Sequence, residues 1–429
     1  MKTKISFIII FFTVFTFQSQ VNTYSPYSYF GLGSIQNSNS TYFLSMGGLS
    51  NSLALTTTTN FSNPASYSFL NQTSFNFGFL TNITKLTQYD IEQKNNTTSL
   101  SNISLAFPIS NKSAIAVGVF PYSSVGYNIS RTIFTNEIIG QEIYKYYGSG
   151  GLNKLVLGYG RQILKNFSLG FNLNYLFGPI NSNLDISTQN STIKYRDESL
   201  FSVSDYNFEI GTLYSFKINE KKINIASIFT PQSNIKSSIQ NFQYTFTSSG
   251  DFENFVDTIS FSKNQDGIIE LPYSLKVGFS IMSEKKWNFG VDYNYTNWKN
   301  LYSSINSTQF IEDENRFIVG GSFVPNEMDI YSYWKRVRYC VGLSYSYGYV
   351  NISDLFNLQG DEMLEDLSLS LGVSLPMNKV LSRANIGIKY GVRDRLRSNI
   401  SSEVIGESYF SFMFSMTLNE KWFKKRKID

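Results

Sequence analysis

Beyond Gln72, apolar residues alternate with small or polar ones at a period of two along most of the chain. Trp287, Phe289, Val291, Tyr293 and Tyr295 share one face of a stretch whose other face carries Asn288, Gly290, Asp292 and Asn294. Leu367–Leu375 alternates leucine or valine with serine or glycine in the same way. Successive side chains of a strand point to opposite faces, so each stretch predicts a strand with one continuous apolar face. Such stretches fall at about 73–81, 99–108, 113–126, 150–160, 167–177, 201–216, 222–230, 272–282, 286–296, 316–324, 336–348, 366–375, 383–391 and 409–418. Long links (82–98, 127–149, 178–200, 231–271, 297–315, 349–365, 392–408) alternate with short ones (109–112, 161–166, 217–221, 283–285, 325–335, 376–382). Fourteen segments joined in this way describe an up-and-down antiparallel meander.

A soluble sandwich would bury its apolar faces against each other and would not sort its links by length. A transmembrane barrel turns those faces to lipid, crosses with strands of about 9–11 residues and puts short turns on the periplasmic side. It must close, because an open sheet edge in hydrocarbon strands backbone groups at several kcal/mol each. The expected fold is therefore all-β, a 14-stranded antiparallel transmembrane β-barrel over 73–418. Mean hydropathy of −0.16 argues against a bundle of membrane-spanning helices. Lys2 and Lys4 followed by the apolar run Ile5–Phe17 form a secretory signal, with cleavage expected near residue 19. Export followed by a barrel places the chain, multi-pass, in the outer membrane of a Gram-negative bacterium, with outer-membrane lipid as its first partner.

The residue inventory narrows the chemistry. The chain has no histidine, which removes the commonest general base and metal ligand. Its one cysteine, Cys340, cannot form an internal disulfide or a cysteine-rich metal site, and is expected to be a small filler of the inner face. A net charge of +4 is too small for a protein whose task is gripping nucleic-acid phosphates. An enzyme, a cofactor, a metal and a nucleic-acid partner are therefore not expected.

The inward face carries many glycines, among them Gly78, Gly158, Gly170, Gly211, Gly278, Gly290, Gly320, Gly342, Gly372 and Gly387. Missing side chains leave room there or let another backbone approach. Lys276, Asp292, Arg338 and Lys389 also fall inward, with Lys154 and Glu209. They read as a hydrated, charge-paired lumen wall, or alternatively as ligand contacts. Residues 20–72 lack sustained alternation yet contain Phe30, Leu32, Phe43, Leu44, Leu49, Leu53 and Phe61, more apolar content than a solvated leader needs. Fourteen strands enclose a space too wide for side chains alone to fill, so 20–72 is expected to be a plug, or hatch, inside the barrel. The tail 419–429 is basic (Lys421, Lys424, Lys425, Arg426, Lys427) and is expected in the periplasm, against lipid phosphates or docked to a protein partner.

Within 20–72, Gly31-Leu-Gly33, Met46-Gly-Gly-Leu-Ser-Asn-Ser-Leu-Ala54 and Asn63-Pro64-Ala65, leading into an aromatic strand, resemble the N-terminal hatch of FadL-type outer-membrane transporters. Phe120-Pro-Tyr-Ser-Ser-Val-Gly-Tyr127 and Leu271-Pro-Tyr-Ser suggest a divergent branch of that family. The resemblance implies a porin-like barrel for passive uptake of hydrophobic compounds such as long-chain fatty acids and aromatic hydrocarbons. It also implies lateral release through a gap at a kink in the third strand. Pro121 lies in that strand between Gly118 and Gly126, and proline belongs at an edge, bulge or break because it cannot donate a ladder hydrogen bond. The alternative is that Pro121 merely ends the strand at the membrane rim. The link 231–271, with Phe242, Tyr244, Phe246, Phe252, Phe255 and Phe261, reads as an apolar entry or a packed lid. A second functional class stays open: a non-transporting barrel subunit of an outer-membrane secretion or assembly complex. An apolar internal pocket joined to a wall gap would favour uptake, and a solidly filled barrel would favour the subunit.

Overall fold

The computed structural model describes residues 23–37, 39–136, 140–250, 252–283, 286–303, 310–352, 362–377, 382–394 and 404–420. Fourteen antiparallel strands form the wall. They are β1 Thr73–Gln88, β2 Ile91–Ser110, β3 Ser113–Pro121 and Ser123–Asn136, β4 Gly140–Gly150 and Asn153–Leu164, and β5 Phe167–Thr188. Next come β6 Ile193–Ile218, β7 Lys221–Thr230 and Ser233–Ser249, β8 Phe252–Leu271 and Ser274–Ser283, β9 Trp287–Thr296, and β10 Ile311–Phe323. The last four are β11 Arg338–Asn351, β12 Met363–Pro376, β13 Arg383–Asp394 and β14 Gly406–Glu420. Strand β14 returns to β1, pairing Glu420 with Thr73 and Gly406 with Thr87, which closes the barrel. The protein is a closed, 14-stranded antiparallel β-barrel.

The alternation has the expected sense. On β4, Val156 is 1% exposed while Leu157 is 53% exposed. On β9 the outward Phe289 and Val291 are exposed, while Asn288 and Asp292 are buried. Outward aliphatic and aromatic chains meet lipid, and the polar rows face the lumen.

The links differ from the sequence reading. Most residues of 82–98, 127–149 and 178–200 continue the strands, and β6 alone runs for 26 residues. The stretch 231–271, expected as the longest loop, is a hairpin: Ser233–Ser249 pairs with Phe252–Leu271. The cause is that strands project beyond the lipid. There both faces meet water, the apolar–polar contrast fades and pairing alone maintains the strand. Strand β3, placed by the sequence at 113–126 with Pro121 as its expected kink or end, is interrupted at Tyr122.

Candidate functional site: the lumen and the break in strand β3

Residues 23–37 and 39–72 lie against the inward faces of the strands at two levels. Nearest the short turns, Asn63 caps a 3-10 helix, Pro64–Phe69. Its Oδ1 accepts from the Ala65 N–H (2.9 Å), and its Nδ2 donates to the carbonyls of Asn51 (2.8 Å) and Thr212 (3.2 Å). The Asn-Pro-Ala turn thus satisfies its own start and grips β6 at once. Pro64 rests on β5 so closely that a methyl group at Gly170 would collide with its carbonyl carbon.

On another part of the wall, also toward the short turns, a short helix, Thr41–Leu44, leads to Met46, whose backbone lies directly on Gly320 and Gly342. Ser45 sits on Gly372 and Gly387. Gly320 and Gly342 are therefore contact points for a second backbone, and Gly372 and Gly387 for the Ser45 side chain, rather than open space. Asp292 on β9 accepts from the backbone N–H groups of Ser50 (2.7 Å) and Asn51 (2.8 Å). Cys340 packs with Tyr42, Phe43 and Met46. Arg338 faces the Tyr42 ring at 5.4 Å and pairs with Glu327 at 3.5 Å.

The higher level is apolar. Tyr27, Phe30 and Leu32 pack with Val125, Leu152, Leu176, Phe201, Trp298 and Val350 from the surrounding wall. Tyr29 adds edge-on contacts to Tyr127 (5.2 Å) and Tyr146 (5.8 Å). Tyr27 donates to the Ile405 carbonyl (2.6 Å), Ser25 to Glu407 (2.6 Å), and Tyr349 to the Gly33 carbonyl (2.8 Å). The chain's own side chains fill the lumen at this height.

Polar cavities remain between these levels and the wall. One, of about 150 Å³, is lined by Lys154, Glu209, Lys276 and Arg316 among others. Another, of about 160 Å³, is lined by Asp366, Lys389, Arg393 and Glu407. The four sequence-selected charges thus do not converge: Lys276 and Lys389 belong to different cavities, Asp292 holds the N-terminal segment, and Arg338 lies near the short-turn end. Sequence reading missed Asp366, Arg393 and Glu407, where Arg393 bridges both carboxylates at 3.0 and 3.3 Å. Their alternation on β12, β13 and β14 was the available signal.

Strand β3 leaves β2 beside Pro121. The β2–β3 ladder ends at Ile103 with Val119, and residues 91–102 of β2 pair with β1. Pairing with β4 continues past Tyr122, while on the other side Ser123 and Ser124 pair with Ile35 and Ser34 of the N-terminal segment instead of β2. Gly118 lies under Phe120, which packs inward on Phe61 at 4.8 Å. Gly126 receives hydrogen bonds from Ser25 (2.9 Å) and Ser28 (3.1 Å), and it donates back to Ser28 (3.0 Å). The side of the lumen facing this separation is occupied by residues 25–35.

On the β7–β8 hairpin, Phe242 stacks on Tyr244 (4.6 Å) and meets Phe261 edge-on (5.6 Å). Phe246 is buried beneath Arg196. Phe252, Phe255 and Phe261 nevertheless remain more than half exposed. The signal segment and the basic residues 421–427 lie outside the described residues.

Solved structures with this fold share little sequence. A structure of the CymD monoaromatic hydrocarbon channel matches with TM-score 0.56 and 12% identity, over 92% of this chain and all of that one. A Pseudomonas aeruginosa FadL homologue matches with TM-score 0.58 and 11% identity, over 90% and 98%. The Pseudomonas putida toluene transporter TodX matches with TM-score 0.54 and 14% identity, over 91% and 99%. These likenesses concern the fold. No curated protein matches by sequence. The family model described as BamG matches residues 1–429, and the chain accordingly belongs to the BamG family.

Proposed function

We propose that this protein is a closed, non-transporting barrel subunit of an outer-membrane secretion or assembly complex, with residues 20–72 as its internal plug. One observation carries the reading. Tyr27, Phe30 and Leu32 occupy the apolar level of the lumen, where a hydrophobic cargo would have to be held. A barrel filled in this way acts through its outer surfaces. The side of Phe252–Ser262 that pairs with no strand among the described residues, above the lipid, is one such surface for a protein partner, since exposed strand edges pair readily with other chains.

A second reading rests on the separation of β2 from β3 at Pro121. It makes the protein a channel for a hydrophobic compound, like the similar monoaromatic hydrocarbon channel and toluene transporter, with long-chain fatty acids as cargo and lateral release at that opening. Gly118, Pro121 and Gly126 would then form the kink, and Asn63-Pro64-Ala65 the hatch turn.

Uptake into proteoliposomes containing the full-length protein separates the readings. Toluene and a fluorescent long-chain fatty acid should enter no faster than into protein-free liposomes. Saturable uptake above that background would overturn the subunit reading in favour of the channel.

A further inference from the structure

An apolar concavity lies outside the barrel. An open groove of about 950 Å³ runs along the lipid-facing side of β9–β13, between Phe289, Val319, Val341, Leu371 and Ile388. That volume falls within the ~300–1,000 Å³ of small-molecule sites. Its origin is visible inside: the wall here rests on Met46 and Ser45 through Gly320, Gly342, Gly372 and Gly387, and Gly321 adds no outward side chain. The concavity runs toward the short-turn ends of the strands, where Trp287, Phe323 and Tyr339 form its rim.

That rim is basic. Lys286 is exposed beside Trp287, its carbonyl accepting from the Val324 N–H (2.6 Å). Lys221 lies 5.8 Å from the Trp287 ring. The link from β10 to β11 folds along the same rim, with Tyr333 donating to the Pro376 carbonyl (3.2 Å) and Tyr339 to the Trp334 carbonyl (3.3 Å). On this link Arg336 has a shielded Nε–H that meets no acceptor among the described residues. Ile330, Tyr331 and Trp334 stand exposed beside it. Aromatic rings at headgroup level above an apolar surface are a membrane-interface arrangement, and clustered basic groups there attract anionic headgroups.

We infer that this is a site for one anionic phospholipid of the periplasmic leaflet. Its acyl chains lie in the concavity between β9 and β13, and its phosphate is held by Arg336 and Lys286. Short turns face the periplasm in such barrels, which selects a phospholipid over lipopolysaccharide.

The test is native mass spectrometry of the full-length protein in mild detergent, with phosphatidylglycerol or phosphatidylethanolamine of matched chains added. One phosphatidylglycerol should be retained per chain in preference to phosphatidylethanolamine. Lys286→Gln and Arg336→Gln should each weaken retention about fivefold, whereas Arg336→Lys should keep most of it. Val341→Trp, which fills the concavity from the lipid side, should abolish retention while the heat-modifiable folded band persists on gels. Equal retention of the two lipids, or a graded series of bound lipids unchanged by Val341→Trp, would overturn the assignment.

Discussion

The carboxylate of Asp292, on the barrel wall, accepts a 2.7 Å hydrogen bond from the backbone N–H of Ser50 in the N-terminal segment. A second bond, from the Asn51 N–H, falls on the same oxygen. Asp292→Ala leaves both donors without this acceptor, at about 1–3 kcal/mol for each buried group. The expected outcome is earlier proteolytic cutting within residues 45–60 and a lower unfolding temperature, with Asp292→Asn milder because it keeps an acceptor. Unchanged cutting in Asp292→Ala would show that the segment is held elsewhere.

Gly170 and Gly342 carry the closest backbone contacts of the N-terminal segment, to Pro64 and Met46. A single methyl at either position must push the segment off the wall. Alanine should cost roughly 1–3 kcal/mol, the usual range for overpacking. Comparative thermal unfolding against Val291→Ile, an outward change expected to stay within about 0.5 kcal/mol, measures it. Equal stability of the three variants would mean that the contacts are loose.

Leu157 points outward on β4 and its neighbour Val156 inward. Leu157→Arg should destabilise the barrel by about 2–4 kcal/mol if it sits at the membrane midplane. Equilibrium refolding into lipid vesicles gives the number. A neutral result would place this face away from hydrocarbon.

Asp329 organises the link between β10 and β11. The Ser332 N–H, then Lys335 and the Tyr331 N–H, hold its carboxyl below the usual carboxylate range. A lowered folded-state pKa means that this contribution is complete above the ordinary aspartate value of about 3.9 and is lost as pH falls through the lowered value. Emission from Trp334 should therefore stay constant from neutral pH to about that point and change only below it. Asp329→Asn should remove this acid step. A wild-type transition near pH 6 would contradict the assignment.

The strands were legible because lipid on one side and a polar lumen on the other impose contrast at every second residue. Where both sides are wet the contrast fails, so 231–271 reads as a loop although Ser233–Ser249 and Phe252–Leu271 form a long hairpin. Pro121 marked the position beside which β3 turns away from β2, since its ring removes a ladder donor. The role of Asp292 was not legible. Its partners are backbone N–H groups more than two hundred residues away, and no side-chain pattern advertises them. The same holds for the inward glycines, whose spacing shows that side chains are missing but not which backbone takes their place.

Hydrogen exchange of the N-terminal segment in native outer-membrane vesicles tests the filled lumen most directly. The Ser25 N–H bonds to Gly126, the Gly33 N–H to Phe30 and the Gln36 N–H to Tyr122, all within a packed barrel. Peptides covering residues 25–36 should therefore stay protected for hours, like those of the β5–β6 ladder. Exchange of that segment within seconds would mean that the lumen opens freely, and the account of a barrel filled by its own N-terminal segment would fail.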